Sequence, residues 1–160
     1  MRIRPARPAD RDRIREILVG TALFTEQEAG WAMELVDANL ARPGSEYTVQ
    51  VLEDEDARRV HGYVCYGPTP RTDDVFDLYW IAVEPTRQGQ GLGQLLLKFV
   101  ENEVRRQNGR MLLIETSSKA SYAPTIRFYQ RAGYDEISRI KDFYRIEHDK
   151  VVFCKKLSPT

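Results

Sequence analysis

A chain of 160 residues is one domain's worth, long enough to bury roughly two thirds of the surface that its unfolded form exposes. Lys plus Arg number 24 and Asp plus Glu number 24, so the formal charge is zero. No global field draws nucleic acid or an anionic membrane, and neither is expected as a partner. Apolar residues at 42% and charged residues at 30% fit a soluble globular chain, and no apolar run approaches the roughly 18 residues that span a bilayer. Met1-Arg2-Ile3-Arg4-Pro5 has no apolar run behind its charges and does not read as a secretory signal. Cys65 and Cys154 lack C-x-x-C spacing and are expected to be two buried thiols in a reducing, cytoplasmic setting.

Residues 2–7 read as a short edge strand because of Pro5. Pro8 suits the first position of a helix that buries Ile14, Ile17 and Leu18 and stops near Gly20. Thr25-Glu26-Gln27-Glu28 has capping-box spacing, opening a second helix that runs through Met33, Val36 and Leu40. Residues 46–52 and 60–67 form an antiparallel pair around the charged loop 53–59, and a third strand runs from Val75 to Val83. Leu92, Leu95, Leu96, Phe99, Val100 and Val104 recur at three and four residues, the strongest helical signal in the chain. Met111-Leu112-Leu113-Ile114 reads as a strand covered on both faces. A short helix from Pro124 to Ala132 ends at Gly133, and strands at 134–141 and 149–157 close the chain. This order gives a mixed α/β sheet with at least one parallel crossover, in one domain over 1–160.

Arg87-Gln88-Gly89-Gln90-Gly91-Leu92-Gly93 lies between a strand and the strongest helix. Glycines there let backbone approach a ligand and leave N–H groups pointing outward, and the helix dipole adds about half a positive charge. Together they form a cradle for a phosphate or pyrophosphate. No G-K-[ST] follows, so a P-loop is unsupported. The dinucleotide spacing G-x-G-x-x-G fails at Gln94. The spacing present is Q/R-x-x-G-x-G on Gln88, Gly91 and Gly93.

In that loop the sequence resembles the Gcn5-related N-acetyltransferase (GNAT) superfamily. A second segment, Phe128-Tyr129-Gln130-Arg131-Ala132-Gly133-Tyr134, is similar to the family's F-Y-x-x-x-G-F/Y run, and the resemblance covers essentially the whole chain. It implies a mostly antiparallel sheet of about seven strands with about four helices on both faces, split to hold acetyl-CoA. It implies acetyl-CoA as co-substrate and no metal, with cofactor contacts from Ile81, Ala82 and Val83 and from Gln88, Gly89, Gln90, Gly91, Leu92, Gly93 and Gln94. The family asparagine seven residues before the tyrosine is replaced here by Tyr122.

The implied reaction is attack of a neutral amine on the acetyl carbonyl. A lysine-like amine is neutral at pH 7 about one time in 2,500, equivalent to roughly 4.6 kcal/mol, whereas an α-amine near pKa 8 needs only about 1.4 kcal/mol. Backbone N–H groups at 81–83 are the expected oxyanion donors, and Tyr129 is the candidate acid for the leaving thiolate. Glu115 and Asp77 compete as base, with a water relay as the third option; Glu115 ends an apolar strand, where desolvation would tune it. His61 and His148 read as surface or turn residues. The expected acceptor is a small-molecule or amino-acid-like amine. A protein N-terminus or lysine, and a non-catalytic acyl-CoA-binding module, are the alternatives. A homodimer is compatible with the resemblance.

Overall fold

The computed structural model describes residues 1–158. Strand β1 spans Arg2–Pro5, and a 3-10 turn at Pro8–Asp10 leads into α1, Arg11–Gly20. Helix α2 (Glu26–Ala41) is followed by β2 (Thr48–Asp54), β3 (Arg59–Pro68) and β4 (Val75–Val83). A 3-10 turn at Pro85–Arg87 precedes α3 (Leu92–Arg106), which leads to β5 (Met111–Ser117). Helix α4 (Ala123–Arg131), β6 (Asp135–Arg145) and β7 (His148–Lys156) complete the chain. The strand order is β1-β2-β3-β4-β5-β7-β6, and β4 and β5 are parallel neighbours, joined through α3. The pairs β1–β2, β2–β3, β5–β7 and β6–β7 are antiparallel. This is the mixed, mostly antiparallel seven-stranded sheet with four helices that the resemblance implies.

Local chemistry sets several of these boundaries. Thr25 caps α2, its Oγ1 accepting the Glu28 N–H at 3.1 Å. Pro8 opens a 3-10 turn and not α1 itself, because the Asp10 carboxylate folds back onto the Arg7 N–H at 2.7 Å and closes a turn first.

Strand β4 and helix α3 are each divided between two compact units. The first comprises Met1–Pro68 with Tyr79–Val100, and the second Thr69–Leu78 with the residues from Glu101 onward. In the first, α1 and α2 lay Ile14, Ile17, Leu18, Met33 and Val36 against Val49, Val51, Tyr63 and Cys65 of the sheet. Each such fully buried aliphatic side chain contributes about 1.5–3 kcal/mol. A Cβ on Gly62 would lie 2.9 Å from the Ala82 carbonyl oxygen and 3.2 Å from Leu96 Cδ1, so a glycine is what lets β3 come this close to β4 and α3.

In the second unit the parallel ladder has four residue pairs, from Val75↔Met111 to Leu78↔Ile114, and β4 runs on past its last pair to Val83. Phe76, Leu112, Ile114, Val151 and Phe153 are buried there. Strand β6 is longer than its apolar pattern suggests and exposed along its whole length. Register shifts in its pairing with β7 interrupt it twice, which keeps a long edge from offering a regular template. In α3 the buried stripe is Leu92, Leu96, Leu97, Val100 and Val104. Leu95, expected on that stripe, is 43% exposed, because one helical step carries it about 100° away from Leu96.

An ionic cluster ties β1 into the first unit. Arg4 bonds Asp10 at 2.8 Å and Glu53 at 2.9 Å, and Arg2 bonds Glu53 at 2.9 Å. The Arg4 hydrogen bond, helped by that of Arg2 and opposed by desolvation, holds the Glu53 carboxyl at about 2, against 4.5 for an ordinary glutamate. A carboxyl with a depressed folded-state pKa adds stability that is complete above its unfolded pKa and vanishes as the pH falls through the folded one. The wild type should therefore lose this contribution between about pH 4.5 and 2. Glu53→Gln should be the less stable protein at pH 7 and should lose less on acidification, as read from denaturant midpoints at the two ends of that range. An identical acid loss in both proteins would exclude Glu53 as the sensitive group.

Candidate active site

The glycine loop lies where β4 gives way to α3, in the first unit. Gly89 and Gly91 have φ of +74° and +80°, a region open to glycine at no steric cost. A Cβ built on either meets no heavy atom within 4 Å. These glycines are therefore needed for the backbone path and face open space. The Gly91 carbonyl accepts the Leu95 N–H at 3.0 Å, which makes Gly91 the cap of α3. The N–H groups of Gly91, Leu92, Gly93 and Gln94 thus precede the first intrahelical donor, the Leu95 N–H, and are the helix's spare donors. The Arg87 Nε beside them is buried and has no hydrogen-bond partner among the described residues. Spare donors, a helix dipole and empty space over two glycines suit a pyrophosphate.

The approach to this cradle is held by hydrogen bonds. Glu84 donates its N–H to the His61 carbonyl at 2.8 Å, so strand alternation turns the backbone of Val83 to the opposite edge. There Gln88 Nε2 donates to the Val83 carbonyl at 3.0 Å. Among the cofactor residues expected from sequence, Gln88 thus spends its side chain on shaping the loop. The Ala82 carbonyl lies on the β3 side, against Gly62. Leu92 buries its side chain, while Gln88, Gly89, Gln90, Gly91 and Gln94 are exposed. Ile81 and Gly93 are half-buried.

The three side chains expected to do proton chemistry belong to the second unit. Tyr129, on α4, is 4% exposed, with its ring 5.4 Å from Phe128, 6.0 Å from Tyr134 and 6.1 Å from Phe153. Burial pushes its phenol well above the usual tyrosine value. Asp77, on β4 and half-buried, accepts the Thr69 hydroxyl at 2.7 Å. Glu115 departs from the expected environment: its side chain is 53% exposed and pairs with Lys150 at 3.4 Å. Strand β5 continues to Ser117, so Glu115 is not the end of a buried strand, and its side chain is open to solvent.

Sequence also misplaced His61, which is 5% exposed and not a surface residue. Its Nδ1 contacts one oxygen of Glu84, and Arg13 Nη2 contacts the other. Desolvation pushes the Glu84 carboxyl up, but the hydrogen bonds from His61 and Arg13 outweigh it and hold the group below the ordinary glutamate range. The one sequence sign of this cluster is an acidic residue placed directly before the proline at the end of β4.

Residues 45–136 match the model of the acetyltransferase (GNAT) domain, more than half of the chain. The chain belongs to the GNAT acetyltransferase family. A crystal structure of a GNAT-family protein from Desulfovibrio desulfuricans is 42% identical, with a TM-score of 0.92 over 98% of this chain and 99% of that one. The [ribosomal protein bS18]-alanine N-acetyltransferase of Escherichia coli K12 is 34% identical over 71 residues, 44% of this chain. That alignment spans 47% of the curated relative, about half its length. An aminoglycoside 6'-N-acetyltransferase crystallised with coenzyme A shares the fold, with a TM-score of 0.76 and 16% identity over 100% of this chain and 99% of that one. Among GNAT folds the open glycine cradle is the part of this chain whose chemistry is most directly visible.

Substitution at Gly91 tests it. Gly91→Glu puts a carboxylate where phosphate should lie and asks a non-glycine residue to hold a φ of +80°, at a cost of roughly 1–2 kcal/mol. Calorimetry should show acetyl-CoA binding lost while circular dichroism remains native. Wild-type affinity in a folded Gly91→Glu protein would remove the cradle from the site.

Proposed function

We propose that this protein transfers the acetyl group of acetyl-CoA directly to the amine of a small-molecule or amino-acid-like acceptor. The observation that carries the proposal is the loop at Gly89 and Gly91, with positive φ, no neighbour over either glycine, and the spare donors of α3 beside it. Acetyl-CoA supplies an activated acyl group and a thiolate leaving group. The chain's part is to hold the pyrophosphate, polarise the thioester carbonyl and manage two protons.

In this proposal the N–H groups at 91–94 hold the pyrophosphate, and the β4 backbone turned away from β3, at Val83 and by alternation Ile81, offers oxyanion donors. One such donor is worth about 3–4 kcal/mol. Tyr129 is the acid for the departing thiolate. Its raised pKa keeps it protonated throughout the working pH range, but makes it a weak donor towards a thiolate whose conjugate thiol has a reference pKa of about 8.5. Its contribution should therefore sit at the low end of general-acid catalysis. Asp77 and Glu115 remain the candidate bases, beside a water relay. Asp77 is half-buried, and Glu115 meets solvent and Lys150.

A second reading, transfer to the α-amine of a protein N-terminus, is favoured by the relative named for ribosomal-protein alanine acetylation. An α-amine needs about 3 kcal/mol less to be neutral at pH 7 than a lysine-like amine, so less base catalysis is demanded. Release of CoA thiol separates the readings. A panel of free amines should support turnover, and a peptide acceptor that alone supports it would select the second. No release with any acceptor, in a protein that binds acetyl-CoA, would point to a non-catalytic binding module.

Tyr129→Phe removes one oxygen and keeps the ring packed, so stability should change little. The single-turnover rate should fall about tenfold or more, with acetyl-CoA affinity nearly constant. A wild-type single-turnover rate would leave Tyr129 as a packing residue.

Glu115→Gln and Asp77→Asn test the base. The variant lacking the base should lose about 100-fold in kcat/KM and lose the rising acidic limb of its pH profile. If neither variant shows this, the water relay stands.

A further inference from the structure

We propose that Glu84 is a positioning residue for the cofactor cradle, holding the joint between β4 and the glycine loop in the one geometry that accepts a pyrophosphate. The proposal rests on the reading of that loop as the pyrophosphate site.

Four bonds converge on this residue. Its N–H donates to the His61 carbonyl on β3 at 2.8 Å, and its carbonyl accepts the Arg87 N–H at 3.0 Å, closing the turn that leads to the loop. One side-chain oxygen contacts His61 Nδ1 and the other contacts Arg13 Nη2 on α1. Arg13 is itself fixed, donating through Nε to the Val60 carbonyl at 2.9 Å and through Nη1 to Glu16 at 3.1 Å. Asp54 faces the other ring nitrogen of His61 at 4.0 Å, and Arg59 faces Glu84 at 3.7 Å. Glu84 is 8% exposed, so all of this is built at a desolvation cost that an apolar residue would not incur.

The position of this cluster gives that cost a use. Gly89 and Gly91 have no side chain to anchor them, and the space over both is open. The loop is anchored at its two ends, by the first turn of α3 on one side and by the Glu84 joint on the other. On the joint side Pro85 fixes one backbone angle, and Gln88 is tied back to Val83 at 3.0 Å. A cradle held in advance spares the cofactor the ordering cost on binding. Loosening the joint should therefore weaken the grip on the pyrophosphate and leave the chemistry of bound substrate nearly intact.

The test compares two acetyl donors, acetyl-CoA and S-acetylpantetheine, which lacks the pyrophosphate. Glu84→Gln keeps the shape and removes the charge that Arg13 and His61 hold. It should weaken acetyl-CoA binding by about tenfold or more in calorimetry and raise KM for acetyl-CoA to match, with kcat at saturation within about threefold. Its kcat/KM with S-acetylpantetheine should stay within about twofold of wild type. Should Glu84→Gln not fold, His61→Gln, which alters one arm of the joint, should show the same split between donors. Wild-type affinity for acetyl-CoA in a folded variant, or an equal loss with both donors, overturns the proposal. Failure of the wild type to bind acetyl-CoA would instead overturn the reading of the loop itself.

Discussion

A β-strand hydrogen-bonded along both edges has no backbone groups left for a ligand, and β4 is built around that constraint. Its parallel ladder with β5 consists of four residue pairs and ends at Leu78↔Ile114, while the strand continues to Val83. The edge facing β3 stays tied as far as Glu84, whose N–H reaches the His61 carbonyl. Beyond Leu78 the strand therefore keeps its shape from one side. The turn at Pro85–Arg87, the glycine path and the start of α3 all inherit their positions from the end of β4.

Charge is buried in two places in the first unit. Arg4, Asp10 and Glu53 fasten an edge strand of only four residues, which has little apolar surface of its own to bury. Arg13, His61 and Glu84 fasten the entrance to the glycine loop. An apolar contact would hold either place more cheaply but less directionally, since hydrophobic packing tolerates sliding and paired hydrogen bonds do not. Gly62 makes the same point sterically, because a single methyl group there would meet the Ala82 carbonyl.

What could be read from sequence was whatever depends on near neighbours along the chain. The glycine spacing at 89–93, the apolar rhythm of α3, the cap at Thr25 and the Phe128-Tyr129 segment all carry their meaning within a dozen residues. Family, order of elements and cradle came from them. The Glu84 cluster was illegible because its members are 71 and 23 residues away in the chain, and no pattern links an arginine on one helix to a histidine on a distant strand. Leu95 and Leu97 exchange roles because a run of leucines satisfies helical periodicity in more than one phase. The exposure of Glu115 was illegible for a related reason. An apolar run marks where a strand is covered, and it does not mark where the strand ends.

The two cysteines are both free and both buried, and burial pushes the Cys65 thiol up to about 12 and raises that of Cys154 as well. Disulfide exchange proceeds through thiolate anions, and neither residue supplies one to solvent at neutral pH. A protein that turns over a thioester would release a free thiol at every cycle, in the company of whatever disulfides the cell contains. With its sulfur atoms kept protonated inside the sheet, this fold would be guarded against a mixed disulfide with the thiol that the proposed reaction releases.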